Sequence, residues 1–122
     1  SLLEGHGFEV VGQSDDADDL MVRVEAAKPD VVIADIRMPP GLADDGVRAA
    51  QEIRRRYPGT GVLLLSQYVE PAYARDLLET GEEGVGYLLK DRVADMDGFR
   101  DAVRRVAAGE TVLDPELHLE GR

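Results

Sequence analysis

Val31-Val32-Ile33-Ala34 is apolar at every position and stops at a carboxylate, Asp35. A run that short, without polar alternation, reads as a strand buried on both faces. Both faces of such a strand must be covered, so helices have to lie above and below the sheet. The rest of the chain supplies them. Phe8 to Gly12 reads as an earlier strand, followed by an acidic helix start at Asp15-Asp16 and a helix facing inward with Leu20, Val24 and Ala27. After the Pro-, Gly- and Asp-rich loop from Met38 to Gly46 comes a helix with Val47, Ala50, Ile53 and Tyr57 on its buried side, ended by Pro58-Gly59. Gly61 to Ser66 is the next strand, and Pro71 opens a helix where its missing N–H costs nothing. That helix turns Tyr73, Ala74, Leu77 and Leu78 inward, and Gly84 to Leu89 is a further strand. The last helix, about 94 to 108, carries Phe99, Ala102, Val103, Val106 and Ala107 at helical spacing, and Gly109 closes it. The polar stretch from Thr111 to Arg122 reads as a linker. Strand and helix alternating throughout imply one α/β domain with a parallel sheet covered on both sides.

Charge and composition exclude several roles. With 14 basic and 25 acidic residues the net charge is −11, a surface that repels phosphate backbones, so this segment by itself is not a nucleic-acid binder. There is no cysteine for disulfide or thiol chemistry, and His6 and His118 are too far apart in sequence to suggest a metal pair. No apolar run approaches the roughly 20 residues that span a bilayer. A cytoplasmic domain is the expectation.

Ligands of doubly wound sheets bind at the carboxyl ends of the strands. Three strands end there in a polar residue: Asp35, Ser66 and Lys90. Each has an ordinary explanation alone, as a cap, a turn residue or a solvated charge. A carboxylate, a hydroxyl and an ammonium at successive strand ends instead suit phosphoryl transfer. The carboxylate can form an acyl phosphate, and the other two can hold the phosphoryl oxygens.

Val31 to Pro39, Leu63 to Ser66 and Gly86 to Asp91 resemble the three signature stretches of bacterial response-regulator receiver domains. The resemblance implies a flavodoxin-like (CheY-like) α/β doubly wound parallel sheet, with the first strand and most of the first helix absent from this chain. It implies a receiver over 1–110 and, over 111–122, a linker stub toward an absent output domain. Asp35 becomes the phosphoacceptor, with Ser66 and Lys90 as phosphate-binding or switch groups and Tyr87 as the rotating aromatic. Lys90-Asp91, the Gly81 to Gly86 stretch and Leu113-Asp114-Pro115-Glu116 resemble the LuxR/NarL-type subfamily. Its Mg²⁺ would take the Asp35 carboxylate and the Arg37 backbone carbonyl. The remaining acidic pair belongs to the absent first strand, and Asp15 to Asp19 is a helix start rather than a substitute.

The partners so implied are a sensor histidine kinase and a second copy, paired through the last two helices and last strand. DNA would be reached only through an absent C-terminal helix-turn-helix domain, with transcription regulated in the full-length protein. Two rival readings differ in class. A phosphorylation-independent, receiver-like protein-binding module fits the missing acidic pair but gives the set Asp35, Ser66, Tyr87 and Lys90 no purpose. A phosphatase of the haloacid dehalogenase type needs a second Asp two residues past its nucleophile, where this chain has Arg37.

Overall fold

The computed structural model describes residues 16–37, 45–68 and 70–117. The strand read at Phe8 to Gly12 and most of the loop after Arg37 lie outside them. In chain order the elements are α1 (Ala17–Ala27), β1 (Val31–Asp35), α2 (Asp45–Arg56), β2 (Gly61–Ser66), α3 (Pro71–Leu78), β3 (Val85–Leu89), a 3₁₀ turn (Lys90–Ala94), α4 (Met96–Ala107) and β4 (Val112–Leu113). The strands are parallel in the order β1-β2-β3-β4.

The β2 side chains alternate between two cores. Val62 and Leu64 point into one layer with Ala50 and Ile53 of α2, Ala74 and Leu77 of α3, and Val85 and Tyr87 of β3. Leu63 belongs to the other layer, with Leu88 and with Phe99, Ala102, Val103 and Val106 of α4. This two-sided burial is what the unbroken apolar strands require, and the predicted stripe on the last helix is the face that packs. Gly86 permits that packing: a Cβ there would lie 2.4 Å from Leu63 Cδ1 and 2.8 Å from Val106 Cγ2. No described helix is long and apolar enough to cross a membrane.

Four details depart from the sequence pattern. Ala27 is exposed, so α1 buries Val24 while Leu20 is only half-buried. Strand β3 starts at Val85 because Gly84 has φ 71°, a left-handed conformation that no extended strand accepts. The last helix starts at Met96, since Asp95 caps it by accepting from the Gly98 amide at 3.2 Å and Lys90–Ala94 is already a separate turn. Finally, the stretch that reads as a polar linker contributes a strand. Val112 and Leu113 pair with Gly86 and Tyr87, and Leu117 is buried in the first core layer.

Candidate functional site

The sheet register delivers the three strand-end residues in a stagger. Asp35 lies beside Leu65, Ser66 lies beside Leu89, and Lys90 follows at once. Lys90 Nζ forms an ion pair with Asp35 Oδ2, and the Arg37 amide donates to Asp35 Oδ1 at 3.0 Å. The carboxylate is 34% exposed and its lysine partner 48%, so the pair is open to a reactant from solvent. Both line one depression together with Ile36, Arg37, Ser66 and Tyr73. The start of α2 helps to fix this end of β1. The Gly46 amide donates to the Ile36 carbonyl at 2.8 Å, and a Cβ on Gly46 would lie 1.9 Å from the Asp35 carbonyl oxygen. Only glycine lets the helix come that close.

Ser66 is buried, and its hydroxyl donates to the Tyr68 carbonyl at 2.5 Å instead of reaching Asp35. Tyr87 is fully buried. Its hydroxyl accepts from the Glu70 amide at 3.1 Å and donates to the Tyr68 carbonyl at 3.4 Å. The sequence reading has this ring turn inward to fill space beside Ser66, and in this structure the ring lies inside. Burial pushes the phenol above the ordinary tyrosine value, against the lowering effect of its hydrogen bonds, so it stays a proton donor at neutral pH. Tyr87→Phe is expected to lower stability by about 1 kcal/mol, because the Glu70 amide loses its acceptor inside the loop. Urea unfolding measures it, and an unchanged midpoint would show that the hydroxyl contributes nothing.

Among the described residues no three His, Cys, Asp or Glu side chains are grouped to hold a metal ion. The Asp35 carboxylate and Arg37 carbonyl alone are too few for Mg²⁺, which wants near-octahedral oxygen coordination.

One buried carboxylate near the site was not singled out from sequence. Asp114 is 1% exposed, just past β4, and ties into the 3₁₀ turn through Arg92. The Leu113-Asp114-Pro115-Glu116 stretch carries the subfamily resemblance, but nothing in it marks Asp114 as buried, since a carboxylate in a polar tail looks like surface.

Residues 1–104 match the family described as Response regulator receiver domain. The chain is 37% identical over 110 residues to the transcriptional regulatory protein DegU of Brevibacillus brevis, covering 90% of this chain and 44% of that protein. It is 34% identical over 107 residues to the DNA-binding transcriptional activator DevR/DosR of Mycobacterium tuberculosis, covering 88% and 46%. It therefore spans about half the length of such curated relatives. Among solved structures, a two-component response regulator of the LuxR family from Aurantimonas sp. SI85-9A1 shares the fold with a TM-score of 0.77 at 24% identity, over 95% of this chain and 79% of that one. The signal receiver domain of the putative response regulator NarL from Mycobacterium tuberculosis gives 0.65 at 32% identity, over 84% and 81%.

Proposed function

We propose, from the premise that this chain belongs to the response-regulator receiver domain family and to its LuxR/NarL type, that Asp35 accepts a phosphoryl group from a sensor histidine kinase. A receiver is a phosphoacceptor switch rather than an ordinary enzyme. What supports the assignment is the Asp35–Lys90 ion pair at the carboxyl edge of the sheet, half-open to solvent, with Ser66 in the same depression.

The chemistry follows from those atoms. An Asp35 carboxylate oxygen attacks phosphorus, the phosphorus–nitrogen bond of the kinase phosphohistidine breaks with its electron pair staying on nitrogen, and the imidazole, already protonated on its other nitrogen, leaves as a neutral ring. Lys90 holds one phosphoryl oxygen through its ammonium. Ser66 leaves the Tyr68 carbonyl to donate to another, which releases that carbonyl from one of its two hydroxyl donors. Tyr87 then keeps the loop to α3 in place, and the equilibrium shifts at the face formed by α3, β3 and α4. Receiver domains generally bind Mg²⁺ at the phosphorylation site. In this chain we assign to it the Asp35 carboxylate and the Arg37 carbonyl, which by themselves make only part of its coordination. In the whole protein, located in the cytoplasm, the switched face would govern pairing of two copies and DNA binding by a domain beyond this chain.

The test is incubation with Mg²⁺ and a small phosphoryl donor, read by intact mass and peptide mapping. Wild type should gain one acid-labile phosphoryl group on Asp35, and Asp35→Asn none. Equal incorporation by Asp35→Asn would remove Asp35 from the role, and no incorporation by wild type would favour the phosphorylation-independent binding module.

A further inference from the structure

The sequence between β3 and α4 contains the group that grips phosphate, yet nothing in it obviously fixes that group. Lys90 opens the 3₁₀ turn, and the residue before it, Leu89, provides no side-chain cap. The fixing comes from the far side of α4. Asp114 Oδ2 accepts from the Leu89 amide at 2.9 Å and from Arg92 Nε at 3.0 Å, while Oδ1 accepts from Arg92 Nη2 at 3.1 Å and from the Glu116 amide at 3.0 Å. The residue before Lys90 and the residue two after it are thus held by one carboxylate. The Asp114 amide also donates to the Tyr87 carbonyl at 2.8 Å, which locks the carboxylate to β3 itself. A charged side chain with no exposure that gives three of its four accepted hydrogen bonds to the two flanks of Lys90, and the fourth to the Glu116 amide of its own turn, has more to do than end a strand.

We propose that Asp114 is the positioning residue for Lys90. It sets where the 3₁₀ turn begins and so where the ammonium meets Asp35, and Arg92 is the second half of the tie. The idea rests on Lys90 holding the phosphoryl group, as described above. Because binding couplings are reciprocal, a phosphoryl group that pulls on Lys90 also pulls, through Asp114, on the chain leaving β4.

The test compares rates of Asp35 phosphorylation by phosphoramidate with Mg²⁺, well below the unfolding temperature of every variant. Lys90→Ala probes the underlying reading, Asp114→Asn the inference, and Leu117→Ala loosens the same tail without touching the turn. Asp114→Asn is expected to slow phosphorylation by about tenfold, since misplacing a reacting group by a fraction of its contact distance already costs that much. Leu117→Ala should stay within twofold of wild type, roughly the scatter of independent sites. Combined with Lys90→Ala, Asp114→Asn should cost nothing more, because the residue it positions is gone. If Asp114→Asn does not fold, Arg92→Ala cuts the same tie from the exposed side and is read in the same way.

Slow Lys90→Ala with Asp114→Asn no slower than Leu117→Ala overturns the inference and leaves the function standing. Additive losses in the double variant also overturn it, reducing Asp114 to a structural role. If Lys90→Ala phosphorylates at the wild-type rate, Lys90 itself is wrongly assigned and the inference falls with it.

Discussion

Asp114→Ala is expected to destabilise the domain by about 3 kcal/mol in urea unfolding at neutral pH. Truncation leaves the Leu89 and Glu116 amides without acceptors and takes from the Arg92 guanidinium its two-point partner, leaving it the exposed Glu116 carboxylate alone. The loss should carry a pH signature. Burial acts to raise the Asp114 pKa, but Arg92 and the Leu89 and Glu116 amides outweigh it, so the group is held below the ordinary value of 3.8. A folded pKa lower than the unfolded one means that the unfolded chain binds the proton first. Its stabilisation is therefore complete above about 4 and fades as pH falls through the lower, folded value. The gap between wild type and Asp114→Ala should be widest at neutral pH and narrow in acid. A gap that is constant down to acid unfolding would show that the charge of Asp114 has no part in holding the turn.

Gly46→Ala should be as damaging, and it should damage the site along with the fold. The added methyl meets the Asp35 carbonyl oxygen at 1.9 Å and the Ile36 Cα at 2.8 Å, backbone atoms that no rotamer change can move aside. Helix α2 has to lift off the end of β1, at an expected cost of about 3 kcal/mol, the upper end for an overpacked contact. Asp35 moves with the strand, so phosphorylation should slow by tenfold or more even where the protein remains folded. Gly59→Ala is the control. Nothing lies within 4 Å of its would-be Cβ, and its effect on both measurements should be small. If Gly46→Ala matched Gly59→Ala, the close approach of α2 to β1 would be wrong.

Much of this was legible because burial leaves a simple mark. Strands covered on both faces must be apolar throughout, so Val31–Asp35 and Gly61–Ser66 announced themselves, and so did the polar residue ending each. With strands placed, parallel order and near-equal spacing bring Asp35 and Lys90 together without any knowledge of side chains. Strand β4 was hidden for the opposite reason. Two residues make no pattern, and Val112-Leu113 become a strand only by borrowing the edge of β3. Asp114 was hidden with it, since a carboxylate buried by partners from elsewhere in the chain looks like any surface charge in sequence. The Tyr87 orientation was beyond reach too. Its rotamer depends on the Glu70 amide and the Tyr68 carbonyl, backbone groups whose direction no residue type records. The loop from Met38 onward lies largely outside the described residues.

A structure of the protein with beryllofluoride and Mg²⁺, a stable mimic of the acyl phosphate, tests most directly whether one phosphoryl group is gripped by three strand ends. Expected is beryllium on an Asp35 carboxylate oxygen, one fluorine within hydrogen-bond distance of Lys90 Nζ, and another taking the Ser66 hydroxyl away from the Tyr68 carbonyl. An adduct on any other carboxylate, or one on Asp35 with the Lys90 ammonium turned away into solvent, would contradict it.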